Sequence, residues 1–309
     1  MSKAGEVVKR LRKGDARAVA RCLTLIENGD PGARSILKEL HSRSGRAHIV
    51  GVTGAPGTGK STLISSMTAE LRRRKKRVAV LTVDPTGPFS GGALLGDRIR
   101  MREHFLDEGV FIRSLATRGS TGGVAASIRD AACLLDAAGN EIVLIETIGV
   151  GQDQVQVKDL AHTVVVIVIP RMGDEIQGMK AGLLEIADIL VINKADLPGA
   201  DEAAEQLRGL FGESGVPILK TAALENVGVG QLIDTLEEHY GKLQTERERG
   251  RTGLDFSRSQ LLSLLRDRLL DRLVQRIGAG SIEAWAEKVA ERRLDAHTAA
   301  EKILKSAGF

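Results

Sequence analysis

Residues 163–169 read TVVVIVI, a threonine followed by six consecutive Val or Ile side chains. A strand of that kind has no polar face to turn to water, so both its sides must be covered. Shorter aliphatic runs recur at 48–53, 78–83, 110–113, 142–145, 189–192 and 216–219, each separated from the next by a stretch with helical spacing. Buried strands alternating with helices predict an α/β fold: a doubly wound, mostly parallel sheet of about seven strands.

The flanks carry a different pattern. In residues 1–45, Val7, Val8, Leu11, Val19, Leu23, Ile26, Ile36, Leu37 and Leu40 recur at helical intervals, and NGDPG at 28–32 is expected to divide this N-terminal segment into two helices. The α/β domain is placed at 46–241 and a C-terminal helical segment at 242–309. Within the latter, QTERERGRTG at 244–253 has little to bury and reads as a linker. A helix predicted over 257–277 then sets Leu262, Leu265, Leu269, Leu273 and Ile277 on one stripe. Shorter helices are expected over 282–293 and at the C-terminus.

Composition removes several function classes. Basic and acidic residues number 44 and 40, a mixed surface of net charge +4, and only 3% of residues are aromatic, leaving little to stack bases on. No nucleic-acid partner is expected. The run RRRKKR at 72–77 closes a predicted helix, where cations complement the negative end of the dipole. Cys22 and Cys133 lie far apart in apolar contexts and read as buried thiols. The N-terminal residues lack the apolar core of a signal peptide, and the longest aliphatic run, six residues, cannot span a bilayer. A cytoplasmic protein with no membrane partner is the expectation.

The chemistry is carried by GVTGAPGTGKST at 51–62. Gly54, Ala55, Pro56, Gly57, Thr58, Gly59, Lys60 and Ser61 match G-x-x-x-x-G-K-[ST], between a predicted strand and a predicted helix that starts at Thr62. Such a loop curls so that successive N–H groups point into one concavity. Lys60 would then bridge the β- and γ-phosphates of a nucleoside triphosphate, and Ser61 would offer its hydroxyl to Mg²⁺. NKAD follows the run at 189–192. The Asp196 carboxylate can accept from guanine N1–H and the 2-amino group together, which adenine cannot reciprocate. Lys194 would lie along the base, Asn193 would tie this loop to its neighbours, and a backbone N–H of TAALE at 221–225 could meet guanine O6. Asp84 and Glu146 follow aliphatic runs as an Mg²⁺ site requires, with Asp97 a third candidate. ETIGVGQ resembles the D-x-x-G-Q switch of regulatory GTPases but has Glu146 as its acid and the apolar Val150 after Gly149, leaving Gln152 to orient water. Slow turnover is therefore expected unless a cation, Arg171 or Lys180 in cis, neutralises the transition state.

Together with VDPTGPFSGGALLGDRIRM, RSLATRGSTGG, GDEIQGMKAGLLEIADILVINKAD and TAALENVGVGQL, these blocks resemble the methylmalonyl-CoA mutase-associated GTPases of the MeaB/ArgK type over nearly the whole chain. The resemblance implies a homodimeric GTPase, joined through its C-terminal helices, that gates cofactor loading or protection of an adenosylcobalamin-dependent acyl-CoA mutase. It also implies GTP/GDP on residues 54–62 and 193–196, base contacts from Ala222, Ala223 and Leu224, and Mg²⁺ among Ser61, Asp84, Asp97 and Glu146. The segment 169–180 becomes a switch facing the mutase. Gly87, Asp153, Gln154, Arg171 and Ala222 depart from the family pattern; those at 153, 154 and 171 fall on the switches and leave the partner open between methylmalonyl-CoA mutase and a relative. Two alternatives are a nickel-type metallochaperone GTPase, which usually needs a His or Cys cluster where these six histidines are scattered, and a kinase linked to amino-acid transport.

Overall fold

The computed structural model describes residues 3–12, 14–41, 44–84, 101–116, 123–147, 153–170, 185–211, 215–248 and 253–308. Seven strands form one sheet: β1 (His48–Gly54), β2 (Val78–Asp84), β3 (Val110–Ala116), β4 (Ile142–Glu146), β5 (Thr163–Val168), β6 (Ile189–Asn193) and β7 (Ile218–Thr221). Their order is β3-β2-β4-β1-β5-β6-β7, and every pairing is parallel. Each strand lies where an aliphatic run predicted one, and β4, β5 and β6 are buried along their whole length.

Helices cover both faces, as parallel strands require. On one face α4 (Lys60–Arg73) and α8 (Val229–Glu248) pack Leu63, Ile64, Met67, Leu232 and Ile233 against Val50, Val52, Val80, Leu144 and Val165. Full burial stabilises each of these side chains by roughly 1.5–3 kcal/mol. On the other face α6 (Asp153–Leu160) and α7 (Ala200–Phe211) cover β5 and β6, while α5 (Gly123–Ala137) covers β2 and β4. The N-terminal helices α1 (Lys3–Arg12), α2 (Ala16–Glu27) and α3 (Pro31–Leu40) share one core with α5, through Leu11, Leu23, Leu40 and Leu134.

Several features differ from expectation. The N-terminal segment forms three helices, because Gly14 takes a left-handed conformation (φ 70°) and the Asp15 carboxylate caps α2 through Arg17 N and Ala18 N. The second break was expected: Asp30 accepts from Gly32 N, and Pro31 opens α3. The segment taken for a linker is helical as far as Glu248, since Gln, Glu and Arg are good helix formers and extend a helix whose first half is already packed. The helix expected from 282 begins at Ala279.

The chain divides into two compact units, Met1–Gly253 and Leu254–Phe309. The second holds α9 (Gly253–Ile277), α10 (Ala279–Ala290) and α11 (Ala296–Ser306). Within it Arg276 Nη1 donates to Ala307 O at 2.6 Å, and the Asp295 carboxylate caps α11 through Thr298 N. Leu262, Leu265 and Leu269 stand 57%, 47% and 49% exposed along α9, whereas Leu273 and Ile277 are half-buried.

Four of the six basic residues at 72–77 make intramolecular ion pairs. Arg73 and Arg74 both bind the buried Glu70, Arg74 also reaches Asp234 and Glu237 of α8, Arg72 binds Asp107, and Lys76 binds Glu141. Hydrogen bonds from Arg73 foremost, then Arg74, hold the Glu70 carboxyl at about 2.

Candidate functional site

In a parallel sheet all carboxyl ends emerge on one edge, so the topology brings together residues that are distant in sequence. β1 enters the glycine-rich loop, β2 ends at Asp84, β4 at Glu146, β6 at Asn193 and β7 at Thr221. Strand order reverses around β1, which lies between β4 and β5, and this is where open α/β sheets bind ligands.

The loop closes tightly on its neighbours. Gly59 holds φ 88°, and a Cβ there would lie 2.6 Å from Asn193 Nδ2; at Gly54 a Cβ would lie 2.4 Å from the Ile167 carbonyl oxygen. Only glycine fits either place. Lys60, the first residue of α4, turns back so that Nζ donates to Gly54 O at 2.9 Å and Ala55 O at 3.1 Å. The ammonium thus sits in the concavity of the loop. Thr58 is buried and donates to Ala55 O, Pro56 and Gly57 form the exposed tip, and Thr62 is half-buried in the first turn of the helix.

Asn193 joins three segments. It is buried, its Nδ2 donates to Thr58 O at 2.9 Å, and its Oδ1 accepts from Thr221 Oγ1 at 3.0 Å and Ala223 N at 3.3 Å. Lys194 adopts a left-handed backbone (φ 55°) and its Nζ donates to Gly57 O at 2.9 Å. Asp196 is exposed, and among the described residues its carboxylate accepts no hydrogen bond and caps no helix. Ala222 and Ala223 are buried, whereas Leu224 is 91% exposed.

On the other side of the loop, Ser61 Oγ donates to Glu146 Oε1 at 2.6 Å, and both residues are buried. Asp84 ends the neighbouring strand, two residues beyond Thr82, which pairs in register with Glu146. The Asp84 side chain and the residues Asp97, Gln152, Arg171 and Lys180 lie outside the described residues.

One cluster was missed by sequence reasoning. At the amino ends of β1 and β5, on the edge opposite the loop, Thr163 Oγ1 bonds both His48 Nε2 (2.7 Å) and His239 Nδ1 (2.8 Å). His162 Nδ1 accepts from Ile49 N, and the Tyr240 ring stacks on His48 with 4.2 Å between centroids. Burial, then the nearby His162 and His239, holds His48 well below 6.5, and burial foremost lowers His239. No spacing in the chain announces this grouping, which only the sheet topology creates. Among the described residues no three His, Cys, Asp or Glu side chains form a metal-binding group, and no helix is long and apolar enough to cross a membrane.

The chain is similar to known proteins over most of its length. The chain is similar to a protein named as a GTPase from Pyrococcus abyssi, 42% identical over 97% of this chain and 95% of that one. A protein named as a GTPase from Mycobacterium tuberculosis is 37% identical over 97% of this chain and 94% of its own. The methylmalonic aciduria type A homolog of Caenorhabditis elegans is 40% identical over 62% of this chain and 52% of that protein. Among solved structures, that of a LAO/AO transport system kinase has the same fold, with a TM-score of 0.75 and 24% identity over 99% of this chain and 98% of that one. A family profile described as methylmalonyl-CoA mutase-associated GTPase MeaB matches residues 19–277. The chain belongs to this family of P-loop GTPases.

Proposed function

We propose that this GTPase uses its GTP cycle to gate cofactor loading or protection of an adenosylcobalamin-dependent acyl-CoA mutase, methylmalonyl-CoA mutase or a relative. The family description supplies the partner class. The observation that carries the nucleotide reading is Asn193, which ties the phosphate loop at Thr58 to the loop at 221–223 and leaves the adjacent Asp196 carboxylate open to a ligand.

In this reading residues 54–62 hold the triphosphate, with Lys60 leaving its two carbonyl partners for the β- and γ-phosphates. Asp196 selects guanine, Lys194 lies along the base, and the backbone of Ala222, Ala223 and Leu224 meets its O6 edge. The buried Ser61 hydroxyl and Glu146 carboxylate are hard oxygen donors that suit Mg²⁺, with Asp84 and Asp97 completing the set. When bound, the ion supplies positive charge that offsets the charge of the phosphates. Gln152 would orient water, and Lys180 would supply a cation from the segment 169–180, which in this reading would face the mutase. The half-exposed leucines 262, 265 and 269 follow the three-then-four spacing of a helix–helix seam, and we assign them to a second copy of the chain in a homodimer. The protein would act in the cytoplasm.

The test uses purified protein and a purified adenosylcobalamin-dependent mutase. Phosphate release is measured with and without the mutase, and complex formation with GTP- and GDP-loaded protein. The proposal expects inorganic phosphate as the product, faster release with the mutase, and nucleotide-dependent association. Association with neither form and an unchanged rate would overturn it. Phosphate transferred to a protein would favour a transport-linked kinase.

A further inference from the structure

The residue one turn beyond the phosphate loop makes a contact that the site described above does not use. Ser66, half-buried on α4, donates its hydroxyl proton to the Ala223 carbonyl at 2.7 Å; the alternative acceptor on its own helix, Thr62 O, is further away at 3.2 Å. A hydroxyl carries one proton, so the shorter contact takes it. Ala223 is held at its other end by Asn193, which accepts from its N–H.

A peptide unit is planar and trans, so its C=O and N–H point in opposite directions. Drawing the Ala223 carbonyl towards α4 therefore aims the next N–H, that of Leu224, away from the helix. Asn193 orients the preceding peptide in the same way. Asn193 takes up the Ala223 N–H itself, so the loop amide offered to a base is that of Leu224, aimed by Ser66, which belongs to the same helix that opens on the phosphate loop. The remaining contacts of the turn are internal: Glu225 N and Val227 N donate to Ala222 O, and Asn226 N donates weakly to Ala223 O at 3.3 Å. None of these reaches another element.

We infer that Ser66 is a positioning residue for guanine selection, which aims the Leu224 N–H and couples the base loop to the helix that grips the phosphates. This assignment rests on the reading of residues 222–224 as the base loop.

Calorimetric titration of wild type, Ser66→Ala and Ser66→Thr with GTP, ATP and tripolyphosphate separates the possibilities. Loss of one oriented hydrogen bond predicts that Ser66→Ala weakens GTP about tenfold. Tripolyphosphate, which needs only the phosphate loop, should bind all three proteins alike, and Ser66→Thr, which keeps the hydroxyl, should retain the wild-type preference for GTP over ATP. An unchanged guanine preference in Ser66→Ala overturns the assignment, as does an equal loss of GTP and tripolyphosphate or an equal loss in both variants. A wild-type protein with no guanine preference overturns the base-loop reading itself, and Ser66 with it.

Discussion

Removing Asn193 tests whether the site is an assembled unit or a set of neighbouring loops. Its side chain makes three hydrogen bonds, to Thr58 O, Thr221 Oγ1 and Ala223 N, and Thr58 and Thr221 are fully buried. Each bond contributes about 1 kcal/mol net, and the buried partners left behind in Asn193→Ala cannot all find water. The expected loss is about 3 kcal/mol, which corresponds to roughly 100-fold in GTP affinity if the nucleotide must reassemble the loops. Asn193→Asp refines the test. The isosteric carboxylate can still accept from Thr221 and Ala223, but it turns an oxygen towards the Thr58 carbonyl. If the link to the phosphate loop dominates, this variant loses as much as Asn193→Ala. Calorimetric titration with GTP, alongside urea unfolding to measure the part of the loss that appears as stability, gives both quantities. A GTP affinity for Asn193→Ala within threefold of wild type, with unchanged stability, would refute the reasoning.

Three other outcomes follow from the same geometry. Ser61→Ala removes the hydroxyl that faces Glu146, so Mg²⁺ should lose most of its enhancement of GTP binding; titration in magnesium and in EDTA measures this, and an enhancement equal to wild type contradicts it. Stability should fall in two separate acid steps. His48 and His239 are held neutral in the fold, so their contribution is complete above 6.5 and declines below it, at up to about 1.4 kcal/mol per pH unit for each histidine. Glu70, held at about 2 against an ordinary 4.5, contributes fully above 4.5 and is lost as pH falls from there towards 2. Urea unfolding across pH 8 to 3 checks both steps, and a flat profile between 7 and 5 would remove the first. Leu265→Lys places a charge in the exposed α9 stripe and should convert a dimer into monomers by light scattering without changing GTP affinity; a persistent dimer would move the interface elsewhere.

The strands were legible because burial on both faces demands unbroken Val and Ile, yet their carboxyl ends were read too short. β2, β4, β6 and β7 run on into Asp84, Glu146, Asn193 and Thr221, polar residues at the edge where the site forms. An aliphatic criterion stops where the chemistry begins. β7 also starts later than its run, at Ile218, because Pro217 has no N–H for the ladder and serves only as an acceptor for Leu190 N. The break at Gly14–Asp15 was written in the sequence as a left-handed glycine followed by a capping aspartate, and was masked by the continuous apolar period around it. Lys60, Ser61 and Asn193 could be found from local spacing. Ser66 and the His48–Thr163–His239 chain could not, since their partners are brought near only by the packing of α4 and α8 on the sheet.

The most direct test of the central claim is the nucleotide preference of Asp196→Asn. An aspartate accepts from guanine N1–H and the 2-amino group, whereas asparagine accepts from one donor and offers its amide to a 2-oxo group, which xanthine carries. Wild type should bind GTP far more tightly than ATP or XTP, and the variant should lose GTP by about 100-fold or more while gaining XTP. A variant that keeps its GTP affinity, or a wild type that binds ATP as well as GTP, would contradict the claim that one exposed carboxylate beside the Asn193 junction chooses the nucleotide.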